Sequence, residues 1–153
     1  MFAIAAAFRP ADRFEGVRPA NIYLLRLLYA LMFLVLGRST WTEILTHQGA
    51  WEGLDAMAWT VWTAFATLAG LGILRPLKML PILLLEIFYK VMWLAMVAYP
   101  LWSRGELAGS SVEGMADAFL WVILAIVAVP WGHVAREYFT WPKRQVAGKA
   151  VPS

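Results

Sequence analysis

Met79 to Leu101 reads MLPILLLEIFYKVMWLAMVAYPL, an apolar run broken only by Glu86 and Lys90. As a helix rising 1.5 Å per residue it extends about 34 Å, enough to cross the ~30 Å hydrocarbon layer of a bilayer. Pro81 is tolerated because it falls in the first turn, where its missing N–H removes no intrahelical hydrogen bond. Upstream, Arg75-Pro76-Leu77-Lys78 leaves room only for a tight return, so the apolar run before it, residues 56–74, is expected to come back as the other arm of an antiparallel hairpin. Within that run Thr63, Ala66, Thr67 and Gly70 fall at spacings of four, small residues that let a neighbouring helix approach closely. A further run over 20–37 is opened by Pro19 and Asn21, and a last one over 111–131 starts at Ser110-Ser111-Val112-Glu113, whose serine-to-glutamate spacing is that of a capping box. The expectation is one all-α domain over 1–153: an integral membrane four-helix bundle, up-down-up-down, with tails at 1–19 and 132–153.

Composition agrees. Of 153 residues 61% are hydrophobic and 15% charged, and the mean hydropathy is +0.64, well outside the range of soluble domains. The formal charge of +3 is spread over short connectors and tails rather than one clustered face, which argues against nucleic acid as a partner. There is no cysteine, so thiol–disulfide relays, thiolate metal sites and disulfides are excluded. Met1 to Phe8 is apolar but short, and its basic residues follow rather than precede it; an interfacial segment or a disordered tail is expected there, not a signal peptide.

Lys and Arg set the orientation. Arg9, Arg13, Arg18, Arg75, Lys78, Arg136, Lys143, Arg144 and Lys149 fall on one side, nine in all, whereas the two remaining connectors hold only Arg38 and Arg104 among five acids. The termini and the hairpin are therefore expected in the cytoplasm of a bacterial inner (plasma) membrane, as a multi-pass protein. Trp41, Trp51, Trp59 and Trp102 then form an outer aromatic belt, and Trp131 and Trp141 an inner one.

Three ionisable side chains fall inside the expected spans: Arg26, Glu86 and Lys90. Arg26 and Glu86 lie at matching depth, roughly 10 to 12 Å from the cytoplasmic ends of their helices. Glu86 and Lys90 stand at i and i+4 with the acid first, the favourable order for a pair on one helix face. An unpaired charge at mid-membrane costs on the order of 3 kcal/mol, so a cluster of Arg26, Glu86 and Lys90 facing the bundle interior is expected, joined by the hydroxyls of Tyr29 and Tyr89. It serves as an interhelical clamp, as a proton or ion site, or as a polar anchor for a lipid, quinone or partner subunit.

The outer connector, 38–55, carries Glu43, His47 and Glu52. Glu43 and His47 share a face if it is helical, but the spacing matches no named metal motif; an amphipathic segment on the membrane surface is the simpler reading, and no metal site is expected. His47 and His133, the only histidines, are expected on opposite sides of the membrane, which disfavours a bis-histidine haem within the chain. His133 and Arg136 read as cations at the C-terminus of the fourth helix. Phosphate-binding loops, nucleophile elbows and paired catalytic carboxylates are missing from the sequence.

Leu24-Leu25-Arg26-Leu27-Leu28 leading to Gly37, then Ala69-Gly70-Leu71-Gly72-Ile73-Leu74-Arg75 leading into another apolar span, resembles the DoxX-like family of small four-span bacterial membrane proteins. The resemblance covers most of the chain as a hydropathy outline. The family often has a lysine shortly after that glycine and an acidic residue entering the second span; here Arg38 and Asp55 are only loose substitutes for them. It implies a membrane subunit or accessory factor of a quinone-linked or other redox system, with Arg26 and Gly37 as family-like positions.

The first functional reading is therefore a small accessory or structural subunit, not an enzyme on its own. It associates with other membrane subunits or with itself, and any quinone, haem or flavin is shared with or held by a partner. The alternative is a homo-oligomeric proton- or cation-coupled transporter using Glu86, although Lys90 one turn on blunts a proton-carrying role.

Overall fold

The structure, a computed structural model, describes residues 14–140. The expectations for the apolar start of the chain and for the tail beyond Thr140, Trp141 included, lie outside the described residues. Among the described residues there are five helices and no strand: α1 Pro19–Thr46, α2 Gly53–Leu74, α3 Leu80–Ser103, α4 Glu113–Ala128 and α5 Trp131–Phe139. α1, α2 and α3 are each long and apolar enough to cross a membrane, and α4 with α5 adds a fourth candidate if that bent pair is one span.

Only 28%, 22% and 22% of the most apolar stretches of α1, α2 and α3 are buried inside the molecule. Their remaining apolar surface faces outward, with Leu34, Val35, Phe88 and Met96 exposed there and Ile123 and Val127 on α4. The interior is narrow by comparison. Leu25, Tyr29 and Met32 of α1 meet Ala69 of α2, Leu83 and Ile87 of α3, and Val122 and Ala125 of α4.

α1 is longer than the sequence suggests. The expected end at Gly37 is not an end: Gly37 keeps helical dihedrals (φ −59°, ψ −46°), and the helix runs on through Thr46. Residues 38–46 contain no helix breaker, and the chain leaves the helix only at His47 (ψ 136°), two residues before Gly49 with its positive φ of 91°. Gly37 is buried within α1, where a Cβ would meet that of Ala66 at 3.7 Å, an ordinary van der Waals contact. A π-helical turn over Met32–Leu36 adds one residue to the repeat, so that Met32 and Gly37, five apart, are both buried. The second π-helical turn, Leu94–Ala98 in α3, precedes Pro100, which cannot donate to the carbonyl four residues back and crowds it.

α1 and α2 pack antiparallel along most of their length. The Trp41 indole N–H donates to Thr67 Oγ1 (3.1 Å) near one end. Phe33 lies against Gly70, and the Tyr29 ring lies flat against Gly72 near the other. The buried stripe on α2 is thus Thr63, Ala66, Ala69 and Gly72, at spacings of three rather than the expected four. The 75–79 return makes α2 and α3 consecutive, but α2 leans chiefly on α1, and α3 on α4, because the small-residue face of α2 is already occupied by α1.

The fourth apolar run is also revised. Its helix begins at Glu113. Half of the expected capping exchange occurs, one residue early: the Glu113 carboxylate accepts from the Gly109 N–H (2.7 Å), while Ser110 Oγ is buried without a partner. The helix stops at Ala128, because Pro130 forces Val129 out of the helical region (φ −64°, ψ 125°). α5 then departs at 76°. Residues 131–139, expected mainly as tail, are therefore helical, and His133 opens a new helix rather than closing the old one. Asn21 of α1 donates to the carbonyl of Ala128 (2.9 Å), satisfying an acceptor that the broken helix leaves without an intrahelical donor.

In chain order Trp41, Trp51 and Trp59 flank the α1–α2 connection, Trp102 precedes the α3–α4 connection and Trp131 opens α5.

Candidate functional site

Glu86 sits six residues into α3, on the face turned to α1 and α4, and is 7% exposed. A carboxylate there has lost most of its hydration and needs a counter-charge. Lys90 supplies it from the next turn: its Nζ lies 2.6 Å from Glu86 Oε1. The geometry follows from helix stereochemistry, since the Cα–Cβ bond tilts toward the helix N-terminus and brings the long lysine stem back over the residue four earlier.

The ammonium is also framed by aromatics. Nζ stands 5.5 Å from the centroid of the Phe119 ring of α4, within cation–π range. Phe119 meets Tyr89 edge-on at 5.7 Å and Trp93 at 5.0 Å, and Tyr89 tilts onto Phe65 of α2 at 5.9 Å. Four rings from three helices thus fix the side of α3 on which the ion pair lies.

On its remaining side the pair borders a cleft of about 320 Å³ between α1, α3 and α4. Leu28, Leu31 and Met32 form one wall, and Trp121, Leu124 and Ala125 the other. Leu31, Trp121 and Leu124 are themselves exposed, so the cleft opens sideways through apolar outer faces. Among the described residues Glu86 and Lys90 are the only charged ones that line it. A lysine ammonium has three donors and Glu86 occupies one, which leaves donors for a guest with an oxygen acceptor.

Sequence reasoning grouped Arg26 with this pair; the structure places them apart. Among the described residues Arg26 makes no ion pair, its Nε is buried without a hydrogen-bond partner, and it lines a separate pocket with Arg75, Pro76 and Lys78. The same stereochemistry explains the separation, because its side chain is carried toward the start of α1. Of the two tyrosines, Tyr89 belongs to the aromatic frame, while Tyr29 is fully buried and donates to the carbonyl of Pro76 (3.4 Å). Phe119 and the α4 wall of the cleft were not singled out from sequence. The only signal for them was an aromatic at helical spacing in an apolar run, which does not distinguish a cleft wall from a lipid-facing side chain.

At the far end of α1, His47 Nδ1 lies 3.6 Å from Glu43 Oε1 and its ring stacks on Trp51 (3.6 Å, 15°). Glu52 is exposed, and among the described residues no three His, Asp or Glu side chains converge as metal ligands. His133 lies at the opposite end of the molecule, buried, with its Nε2 3.7 Å from Glu15 Oε2.

Comparison with protein-family models, with curated proteins and with solved structures gives no match.

Proposed function

We propose that this chain is a four-span, up-down-up-down protein of a bacterial inner membrane with both termini cytoplasmic, acting as a non-enzymatic subunit or accessory factor that holds a lipid-soluble carrier of the quinone class. The observation that carries the reading is the Glu86–Lys90 pair bordering a sideways-opening apolar cleft. A quinone head offers carbonyl acceptors to the lysine donors, and its isoprenoid tail suits the exposed faces of Leu31, Trp121 and Leu124. The outward apolar surface supports membrane insertion, and the excess of Lys and Arg in the flanking sequences and the hairpin over the other two connectors supports the orientation. The DoxX-like resemblance of the sequence points to the same class of system.

A transporter built on Glu86 is less well supported. The carboxylate is closed onto Lys90 at 2.6 Å, so each protonation step would have to break a buried ion pair.

The test is purification of the tagged chain from its own membrane in mild detergent, followed by solvent extraction, quinone chromatography and identification of co-purifying subunits. A quinone recovered with the wild type and lost from a folded Glu86→Gln/Lys90→Met double variant is expected. A quinone-free homo-oligomer without partners would overturn the reading and favour transport.

A further inference from the structure

The second pocket lies at the end of the molecule where α1 begins and the α2–α3 return passes. It measures about 260 Å³ and is lined by Arg26, Arg75 and Lys78, with Ile22, Leu74 and Leu77 on its apolar side. Three cations thus share one small space, against the single acid Glu15. That acid sits at the exposed rim of the pocket, with its Oε2 3.7 Å from His133 Nε2 and no ion pair to the three cations. Among the described residues no carboxylate pairs with Arg26, Arg75 or Lys78, and Arg26 Nε is buried with its hydrogen bond unmade. A guanidinium N–H left unsatisfied under cover is costly, and it is satisfied when an anion with oxygen acceptors enters.

The apolar side of the pocket says which anion. Leu74 borders the cations and is 73% exposed, continuing outward from the pocket along the flank of α2, so the pocket opens toward the acyl region of a bilayer as well as toward its surface. Arg26 lies about 10 Å along α1 from Pro19, and its long side chain, directed back toward the start of α1, joins Arg75 and Lys78 at the pocket. We infer that this pocket binds the phosphodiester of an anionic phospholipid, with Arg26 reaching the phosphate from the hydrocarbon side and Arg75 and Lys78 closing over it from the surface. Planar, multiply donating guanidinium groups suit phosphate oxygens, and basic pockets between spans at the cytoplasmic face recruit such lipids. This site is separate from the cleft at Glu86 and stands or falls independently of the quinone reading.

The full chain, reconstituted in nanodiscs of mixed phosphatidylglycerol and phosphatidylcholine, is re-extracted in mild detergent, and the retained lipid is measured by native mass spectrometry. Phosphatidylglycerol is expected to be enriched, with enrichment falling about fivefold for each basic residue removed in Arg26→Gln and Lys78→Gln. Arg104→Gln, at the opposite end and exposed, should leave it unchanged. Lys78 is exposed, so Lys78→Gln decides the matter even if Arg26→Gln does not fold. Equal retention of the two lipids, enrichment that survives in folded Lys78→Gln, or an equal loss in Arg104→Gln overturns the inference. Inorganic phosphate bound by the detergent-solubilised chain as tightly as phosphatidylglycerol also overturns it, by identifying a site for free anions.

Discussion

Arg26 and Glu86 stand at nearly the same depth, about 10 Å from the starts of α1 and α3, yet the molecule treats the two charges in opposite ways. Glu86 is short. Two methylenes cannot carry its carboxylate to the end of the helix, so the charge is neutralised where it sits, by Lys90 at 2.6 Å. Arg26 is long and points back toward the start of α1, so its guanidinium reaches the basic end of the molecule without an internal partner. Side-chain length and the tilt of the Cα–Cβ bond, more than depth, decide whether an apolar helix can carry a charge alone.

The largest effect is expected at the closed pair. Lys90→Met leaves the Glu86 carboxylate buried and unpaired, and should cost about 3–5 kcal/mol, read as a lower unfolding midpoint in an SDS titration from mild detergent. Glu86→Gln/Lys90→Met should recover most of that loss. If the double variant is as unstable as the single, the pair is more than mutual neutralisation. A smaller effect is expected where α2 sets the position of α1 between the two charges. A Cβ on Gly72 would lie 2.4 Å from Tyr29 Cγ, and the base of a fully buried ring cannot swing aside, so Gly72→Ala should destabilise by about 1–3 kcal/mol. An unchanged midpoint would mean that α1 and α2 are free to part at this level. The smallest stability effect belongs to Arg26→Gln, at no more than about 0.5 kcal/mol in the same titration, since no internal partner is lost. A cost approaching that of Lys90→Met would return Arg26 to the Glu86 network and erase the contrast.

Much of this was legible beforehand. The apolar runs, the tight return at Arg75 to Lys78, the helical entries at Pro19 and Pro81 and the i, i+4 register of Glu86 with Lys90 depend on local chemistry, and helices report local chemistry faithfully. The misreadings share one cause. Glycine often closes helices, but Gly37 keeps helical dihedrals and no breaker follows it before Thr46. Pro130 read as the trailing edge of a span, but its effect falls on Val129 before it and frees α5 to turn by 76°. Arg26 matches Glu86 in depth and in its need for a partner, and neither carries an azimuth.

The sequence alone determined that this chain is helical, that at least three of its helices are long and apolar enough to cross a bilayer, and that Glu86 and Lys90 share a helix face, because hydropathy, proline position and helical periodicity act over a few residues. Only the tertiary structure decided that Phe119 and the wall of α4 complete the cleft, that Asn21 satisfies the broken end of α4, and that Arg26 joins the hairpin return instead of the ion pair. Those outcomes depend on which helix faces meet, and on an apolar chain many faces are similar in composition. Shape settles them, through small residues such as Gly72 that admit Tyr29 and through the direction in which each side chain leaves its helix.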